Sequence, residues 1–134
     1  MSRFVTDTHA LLWHLSDDPA LSAAARDAFE AADAGQTEIF IPSIVLAEVV
    51  YLSERRRVPA DQIDRIANLP AMPGSHYHAV VLDTPIVQTM RRIPRETVPD
   101  MPDRIIAATA LFLGLPLLTS DERIARLGAI QCVW

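Results

Sequence analysis

Short apolar runs alternate with longer segments of helical period along this chain. Residues 4–6, 38–41, 79–82, 116–119 and 130–133 each read as strands: they are short, mostly branched or aromatic, and bounded by turn formers or charged residues. Between them, apolar residues recur three and four apart. Leu11, Leu12 and Leu15 share one face of a helix that Asp7 and Thr8 can cap and that residues 17–19 end. An alanine-rich helix is predicted over 22–34, with Gly35 as its stop. Pro42 closes the second strand, and helices follow over 43–56 and 60–69, with a turn region at 70–74. Thr84 and Pro85 open a further helix, Thr as cap and Pro in the first turn, with Ile86, Met90 and Ile93 on one face. After an irregular loop at 94–102, a helix starts near Pro102 and Asp103 and ends before Gly114. It is apolar nearly all round, which predicts a central, buried position. A short helix over 121–126 precedes the last strand.

Strands alternating with helices predict an α/β fold: a mainly parallel sheet of about five strands with helices on both faces. With 134 residues and no linker, repeat or low-complexity segment, one domain over 1–134 is expected. In such sheets, sites form at the carboxyl ends of the strands.

Composition narrows the chemistry. All 12 basic residues are Arg, so mechanisms that need a lysine, such as a P-loop or a Schiff base, are excluded, and a receiver domain is disfavoured. The four glycines are isolated, so there is no glycine-rich phosphate loop. The single cysteine, Cys132, cannot form an internal disulfide and reads as an inert thiol in a reducing cytosol. The opening Met1-Ser2-Arg3-Phe4-Val5 lacks the apolar core of a secretory signal. The longest apolar stretch, 105–118, is broken by Gly114 and Pro116 and is too short to cross a bilayer. A cytoplasmic protein without membrane attachment is the expectation.

Four acids stand out because their surroundings are apolar or turn a corner. Asp7 ends the run Phe4-Val5-Thr6, and Asp121 follows Leu117-Leu118-Thr119-Ser120. Asp103 opens the apolar helix, and Glu48 has Ile44, Val45, Tyr51 and Leu52 as its neighbours three and four residues away. Capping would account for Asp7, Asp103 or Asp121 taken singly, but not for Glu48 on an apolar stripe. Gathering such carboxylates is costly unless a cation compensates, and hard ions such as Mg²⁺ or Mn²⁺ take oxygen ligands. Asp7 and Asp121 follow strands, while Glu48 and Asp103 sit in the first turns of helices, so one cleft can collect all four. The net charge is −5, and these acids account for −4 of it, leaving the rest near −1. Bound metal would therefore leave the protein compatible with nucleic acid, though not with strong non-specific phosphate binding. Asp100 reads as a loop residue or an extra ligand. His76-Tyr77-His78 alternates like an exposed strand or loop, and His9 and His14, five apart, do not share a helix face.

Taken together, the segments Val5-Thr6-Asp7-Thr8-His9-Ala10-Leu11-Leu12-Trp13, Pro42-Ser43-Ile44-Val45-Leu46-Ala47-Glu48, Asp103-Arg104-Ile105-Ile106-Ala107-Ala108-Thr109-Ala110 and Leu117-Leu118-Thr119-Ser120-Asp121 resemble the PIN-domain ribonucleases of VapC-type toxins. The resemblance covers essentially the whole chain. It implies a PIN-like three-layer α/β/α fold and a Mg²⁺- or Mn²⁺-dependent endoribonuclease, the toxin of a type II toxin–antitoxin pair. Structured RNA, with tRNA as one class, would be cut by metal-activated water. Asp7, Glu48, Asp103 and Asp121 take the places of the metal-binding acids. Thr119 matches a supporting hydroxyl residue. Many relatives carry Thr or Ser three residues before the glutamate, where this chain has Val45; Ser43 is a candidate replacement, or simply a helix cap. Arg104, Arg55 and Arg56, the last two in the run ending at Arg57, are candidate phosphate contacts, with a solvated helix end as the alternative for the run. The resemblance also implies a homodimer and a cognate antitoxin whose C-terminal segment lies near the acids. Leu12, Trp13 and Leu15 are candidates for the dimer contact.

Two rival readings stand beside this one. A PIN-like scaffold without catalysis would have no need of four acids. A haloacid-type phosphatase would need a second Asp two residues after Asp7, where His9 stands.

Overall fold

The computed structural model describes residues 1–134. Strands β1 (Ser2–Thr6), β2 (Thr37–Pro42), β3 (Tyr77–Val80), β4 (Leu117–Leu118) and β5 (Cys132–Val133) form one sheet in the order β3-β2-β1-β4-β5. Every pairing is parallel, so the sheet expected to be mainly parallel is parallel throughout. The helices are α1 (Thr8–Leu15), α2 (Ala23–Asp33), α3 (Ser43–Glu54), α4 (Asp61–Asn68), α5 (Thr84–Thr89), α6 (Met101–Leu113) and α7 (Glu122–Ala125). None is long and apolar enough to cross a membrane.

Successive strand residues point to opposite faces. Val5 and Thr6 are both buried, as are Leu117 and Leu118, so helices cover both faces at the centre of the sheet. One continuous apolar core follows, running from Val5 and Leu11 through Phe29 and Ile39 to Ile106 and Ile124. Helix α6 packs on β1 and against α3 and α5, and residues 105–110 are buried without interruption. Its ends are not: Met101 and Phe112 are exposed, so the expected all-round burial holds only for its middle turns.

Several boundaries differ from the sequence expectation, and three of them bear on the site or its supports. The third strand is Tyr77–Val80, not 79–82, because its partner β2 ends at Pro42, opposite Val80. Beyond that point no backbone is left to pair with, and Val81 is 72% exposed. Tyr77, expected in an exposed segment, is buried instead, and its hydroxyl donates to Asp33 Oδ1 at 2.7 Å. Burial and the Asp33 charge push the Tyr77 hydroxyl far above its ordinary pKa, which keeps it a neutral donor. The cap of α5 is Asp83, whose carboxylate accepts from Ile86 N–H at 3.2 Å, and Thr84 is already helical. The cap of α6 is Asp100, which accepts from Asp103 N–H at 3.2 Å. Asp103 is thereby released from the capping role its sequence position allowed.

The arginine run closes α3. Arg56 takes a left-handed backbone (φ 59°), so that Arg56 N–H and Arg57 N–H return to the carbonyls of Ser53 and Leu52 at 2.9 and 2.8 Å. Leu12, a candidate for intermolecular packing, is buried within its own chain.

Candidate metal centre

The carboxyl ends of β1 and β4 lie side by side, since Val5 and Thr6 are in register with Leu117 and Leu118. The chain leaves these strands into α1 and, through Thr119 and Ser120, into α7. This is the point where the strand order reverses, β1 having been followed outward by β2 and β3 on one side and by β4 and β5 on the other. An open cavity of about 580 Å³ lies there, walled by Asp7, Asp103 and Asp121 with Arg123 and Arg126 on α7 and just beyond it.

Each acid is held by local structure. Asp7 caps α1, its Oδ1 accepting from Ala10 N–H at 2.8 Å, while its own N–H donates to Leu118 O at 3.2 Å. Asp121 caps α7, with Oδ1 accepting from Arg123 N–H at 2.8 Å and Ile124 N–H at 3.4 Å. Both acids are therefore caps and cavity-lining groups together; the two roles are not exclusive. Thr119, only 2% exposed, joins them: its hydroxyl accepts from Asp121 N–H at 3.0 Å and is near enough to Asp7 to favour its charged form.

Glu48 does not line the cavity. It stands beside it, near enough to Asp7 and Asp100 for their charges to act on it. Thr8 Oγ1 donates to Glu48 Oε1 at 2.5 Å. Thr8 is the supporting hydroxyl that sequence reasoning missed, having been read only as part of a cap. Its signal was faint: a second hydroxyl residue directly after Asp7, followed by an apolar helix. Val45, at the position where a hydroxyl was sought, is buried in the core. Ser43 is no substitute. Its hydroxyl donates to Val80 O at 3.0 Å and accepts from Leu82 N–H at 3.1 Å, tying α3 to the end of β3, and it makes no capping bond to α3.

The electrostatics point one way. Burial, and then the charges of Asp100, Asp121 and Glu48, push the Asp103 carboxyl up to about 7. Burial also raises Asp7 and Glu48, against the lowering effect of their hydroxyl partners. Cys132 is half-buried beside the same acids, and burial followed by Asp121 and Asp7 raises its thiol, in keeping with an unreactive neutral group.

As they stand, no three of these side chains close into a ready-made cage around one ion. The convergence of Asp7, Asp103 and Asp121 on one cavity is the firmer observation, because unneutralised carboxylates repel and an ion would draw them inward. The donor set offers carboxylate oxygens with no thiolate facing the cavity, which fits a hard divalent cation.

The arginines sort differently from expectation. Arg104 turns away from the acids: its guanidinium donates to the carbonyls of Met90 and Ile93, both at 2.9 Å, and closes the end of the segment after α5. Arg55 and Arg56 are exposed at the end of α3, outside the cavity wall. The cationic groups that do face the acids are Arg123 and Arg126; Arg123 Nε stands 3.7 Å from Asp121 Oδ1. Their three-residue spacing after Asp121 was the available sign.

Comparison with known proteins agrees with this architecture. The chain is 29% identical over 124 residues to ribonuclease VapC22 of Mycobacterium tuberculosis, covering 92% of this chain and 91% of that one. Among solved structures it is similar to VapBC2 from Rickettsia felis bound to a DNA fragment from their promoter (TM-score 0.69, 17% identity, 97% and 96% of the two chains). A toxin–antitoxin complex from Klebsiella pneumoniae gives a TM-score of 0.61 at 23% identity over 95% and 94%. At these identities the structural likeness speaks for the fold. The family model of the PIN domain matches residues 4–130. The chain belongs to the PIN-domain family.

Proposed function

We propose that this protein is a divalent-metal-dependent endoribonuclease, the toxin of a type II toxin–antitoxin pair, with residues 1–134 acting as one catalytic unit. The observation that carries the reading is the convergence of Asp7, Asp103 and Asp121 on one open cleft at the reversal point of the sheet, with Arg123 and Arg126 on its rim. The relative of known class, ribonuclease VapC22, supports the ribonuclease reading, and the toxin–antitoxin complexes among similar folds support a cognate antitoxin as partner. A homodimer and a structured RNA substrate, tRNA among the classes to test, complete the proposal.

In this reading Asp7, Asp103 and Asp121 would hold Mg²⁺ or Mn²⁺, and Glu48 would hold a second ion or orient a water. Such an ion supplies Lewis acidity: it makes water a better nucleophile at neutral pH and offsets charge on the departing oxygen. The residues of the chain do the positioning. Thr119 backs Asp7 and Asp121, Thr8 fixes Glu48, and the Arg123 and Arg126 guanidiniums in the cavity wall are placed to take phosphate oxygens.

The test is cleavage of total bacterial RNA by purified, antitoxin-free protein, wild type against Asp7→Asn, with Mg²⁺, Mn²⁺ or EDTA. Discrete fragments that need both metal and Asp7 are expected. Folded protein that cuts nothing in either metal would favour a binding scaffold.

A further inference from the structure

We propose that a second cavity, adjoining the acid cleft, is a nucleobase subsite that holds one unstacked base next to the phosphate being cleaved; this rests on the ribonuclease reading above. The cavity measures about 340 Å³ and lies between α1 and the segment where α3 leads into α4. That is within the usual range of small-ligand pockets, about 300–1,000 Å³. Its defining feature is a shared wall: His9 and Trp13, one helical turn apart on α1, line both this cavity and the acid cleft. A nucleotide whose phosphate lies among Arg123, Arg126 and the acids therefore has its base within reach of the far side of that wall.

The chemistry of the lining suits a base. His9 and Trp13 line the cavity, and Trp134, outside it, packs on Trp13 to extend them into a row of tilted rings with centroids 5.6 and 5.7 Å apart. Leu52 and Val58 supply an apolar side, and the exposed Arg57 guanidinium stands at the rim for a neighbouring phosphate. Gln62 adds selectivity: its Oε1 is buried with no hydrogen-bond partner in the chain. A buried acceptor left unpaired is costly, and a rotation of the Gln62 side chain toward the cavity that it lines would bring its amide against the edge of a base. Aromatic walls, the polar groups of Ser16, Asp18 and Gln62, and the Arg57 cation match an unstacked nucleotide better than an aliphatic peptide side chain.

The only two tryptophans of the chain, Trp13 and Trp134, both belong to the ring row, so intrinsic fluorescence reports on it directly. The experiment titrates the full-length Asp7→Asn protein in EDTA with AMP, CMP, GMP and UMP, using ribose 5-phosphate as the base-free control. Saturable quenching by nucleotides and none by ribose 5-phosphate is expected. Trp13→Leu should weaken nucleotide binding about tenfold. Because Trp13 also packs on the core, Gln62→Met is the second variant; it keeps the shape, loses the amide, and should weaken binding several-fold and change the ranking of the four bases. Nucleotides that quench no more than ribose 5-phosphate, or binding indifferent to both substitutions, would overturn the subsite. Rejection of all four nucleotides together with protection of the cavity in the antitoxin complex would assign it to the protein partner instead. Since binding is read without metal or cleavage, RNA cleaved by a protein that binds no nucleotide sinks the subsite alone. Nucleotide binding by a wild-type protein that cuts no RNA sinks the ribonuclease reading alone.

Discussion

Thr8 Oγ1 donates to Glu48 Oε1 at 2.5 Å, linking the first turn of α1 to the middle of α3 across 40 residues of sequence. The bond holds one acid of the candidate centre in a fixed rotamer. Thr8→Val keeps the shape of a buried residue and removes only the hydroxyl. Loss of a partner that orients a metal-site carboxylate costs about 10–100-fold in activity, and that is the expected fall in kcat. KM should change little, and Thr8→Ser should restore most of the rate. Equal activity of the Val and Ser variants would make the bond purely structural.

Asp103 should make the metal-free protein less stable as neutrality is approached. Its carboxyl is pushed up to about 7 in the folded chain, from an ordinary value of 3.8. Between those values the folded state keeps a proton that the unfolded state releases, so this group's contribution falls as pH rises through the window and is at its fullest on the acid side. Asp7 and Glu48 are raised in the same sense. Thermal melting in EDTA from about pH 4 to pH 8, wild type against Asp103→Asn, isolates the effect. The variant should gain in relative stability as pH rises; a constant difference across the range would contradict the raised carboxyl.

Divalent cation should reverse that penalty. A ligand that binds only the folded state at a hundred times its Kd adds about 2.7 kcal/mol. Mn²⁺ or Mg²⁺ should therefore raise Tm in a saturable way, and Asp103→Asn or Asp121→Asn should abolish most of the rise. An equal shift in both variants would place the ion elsewhere.

Arg104 and Arg126 should separate stability from RNA binding. Arg104 satisfies two backbone carbonyls, so Arg104→Met should lower unfolding stability by about 2–3 kcal/mol in urea titrations. Arg126, exposed on the rim of the acid cleft, should do the opposite. Arg126→Ala should leave the urea midpoint alone, weaken RNA binding, and reduce the slope of log K against log salt by about 0.7 for a single-stranded contact. The reverse pattern would restore Arg104 as the phosphate contact.

Much of the fold was legible because it is written locally. Leu11, Leu12 and Leu15, or Ile86 and Ile93, carry the helical period themselves, and Gly35 and Gly114 mark helix ends by taking left-handed backbone (φ 76° and 67°). Where the expectation slipped, the deciding partner was remote. The apolar residues Val81 and Leu82 looked like strand, but β2 had already ended at Pro42. Asp103 could serve as a cap by local pattern and Asp100 read as a loop residue or an extra ligand, and only the start of α6 at Met101 gave the cap to Asp100.

The sequence by itself determined the order and kind of the elements and the mainly parallel α/β class, and it pointed to four candidate acids, since each depends on neighbours within a turn or on a motif read along the chain. The tertiary structure decided which groups serve those acids. It set Thr119 between Asp7 and Asp121, gave Glu48 the hydroxyl of Thr8, turned Arg104 inward, sent Ser43 to Val80, and brought Trp134 beside Trp13. These pairings depend on β4 and β5 lying beside β1, and on the closeness of α1 to α3. No local periodicity carries that information, because a side chain's hydrogen-bond partner is fixed by which strands become neighbours, and strand order is a property of the packed sheet rather than of any one segment.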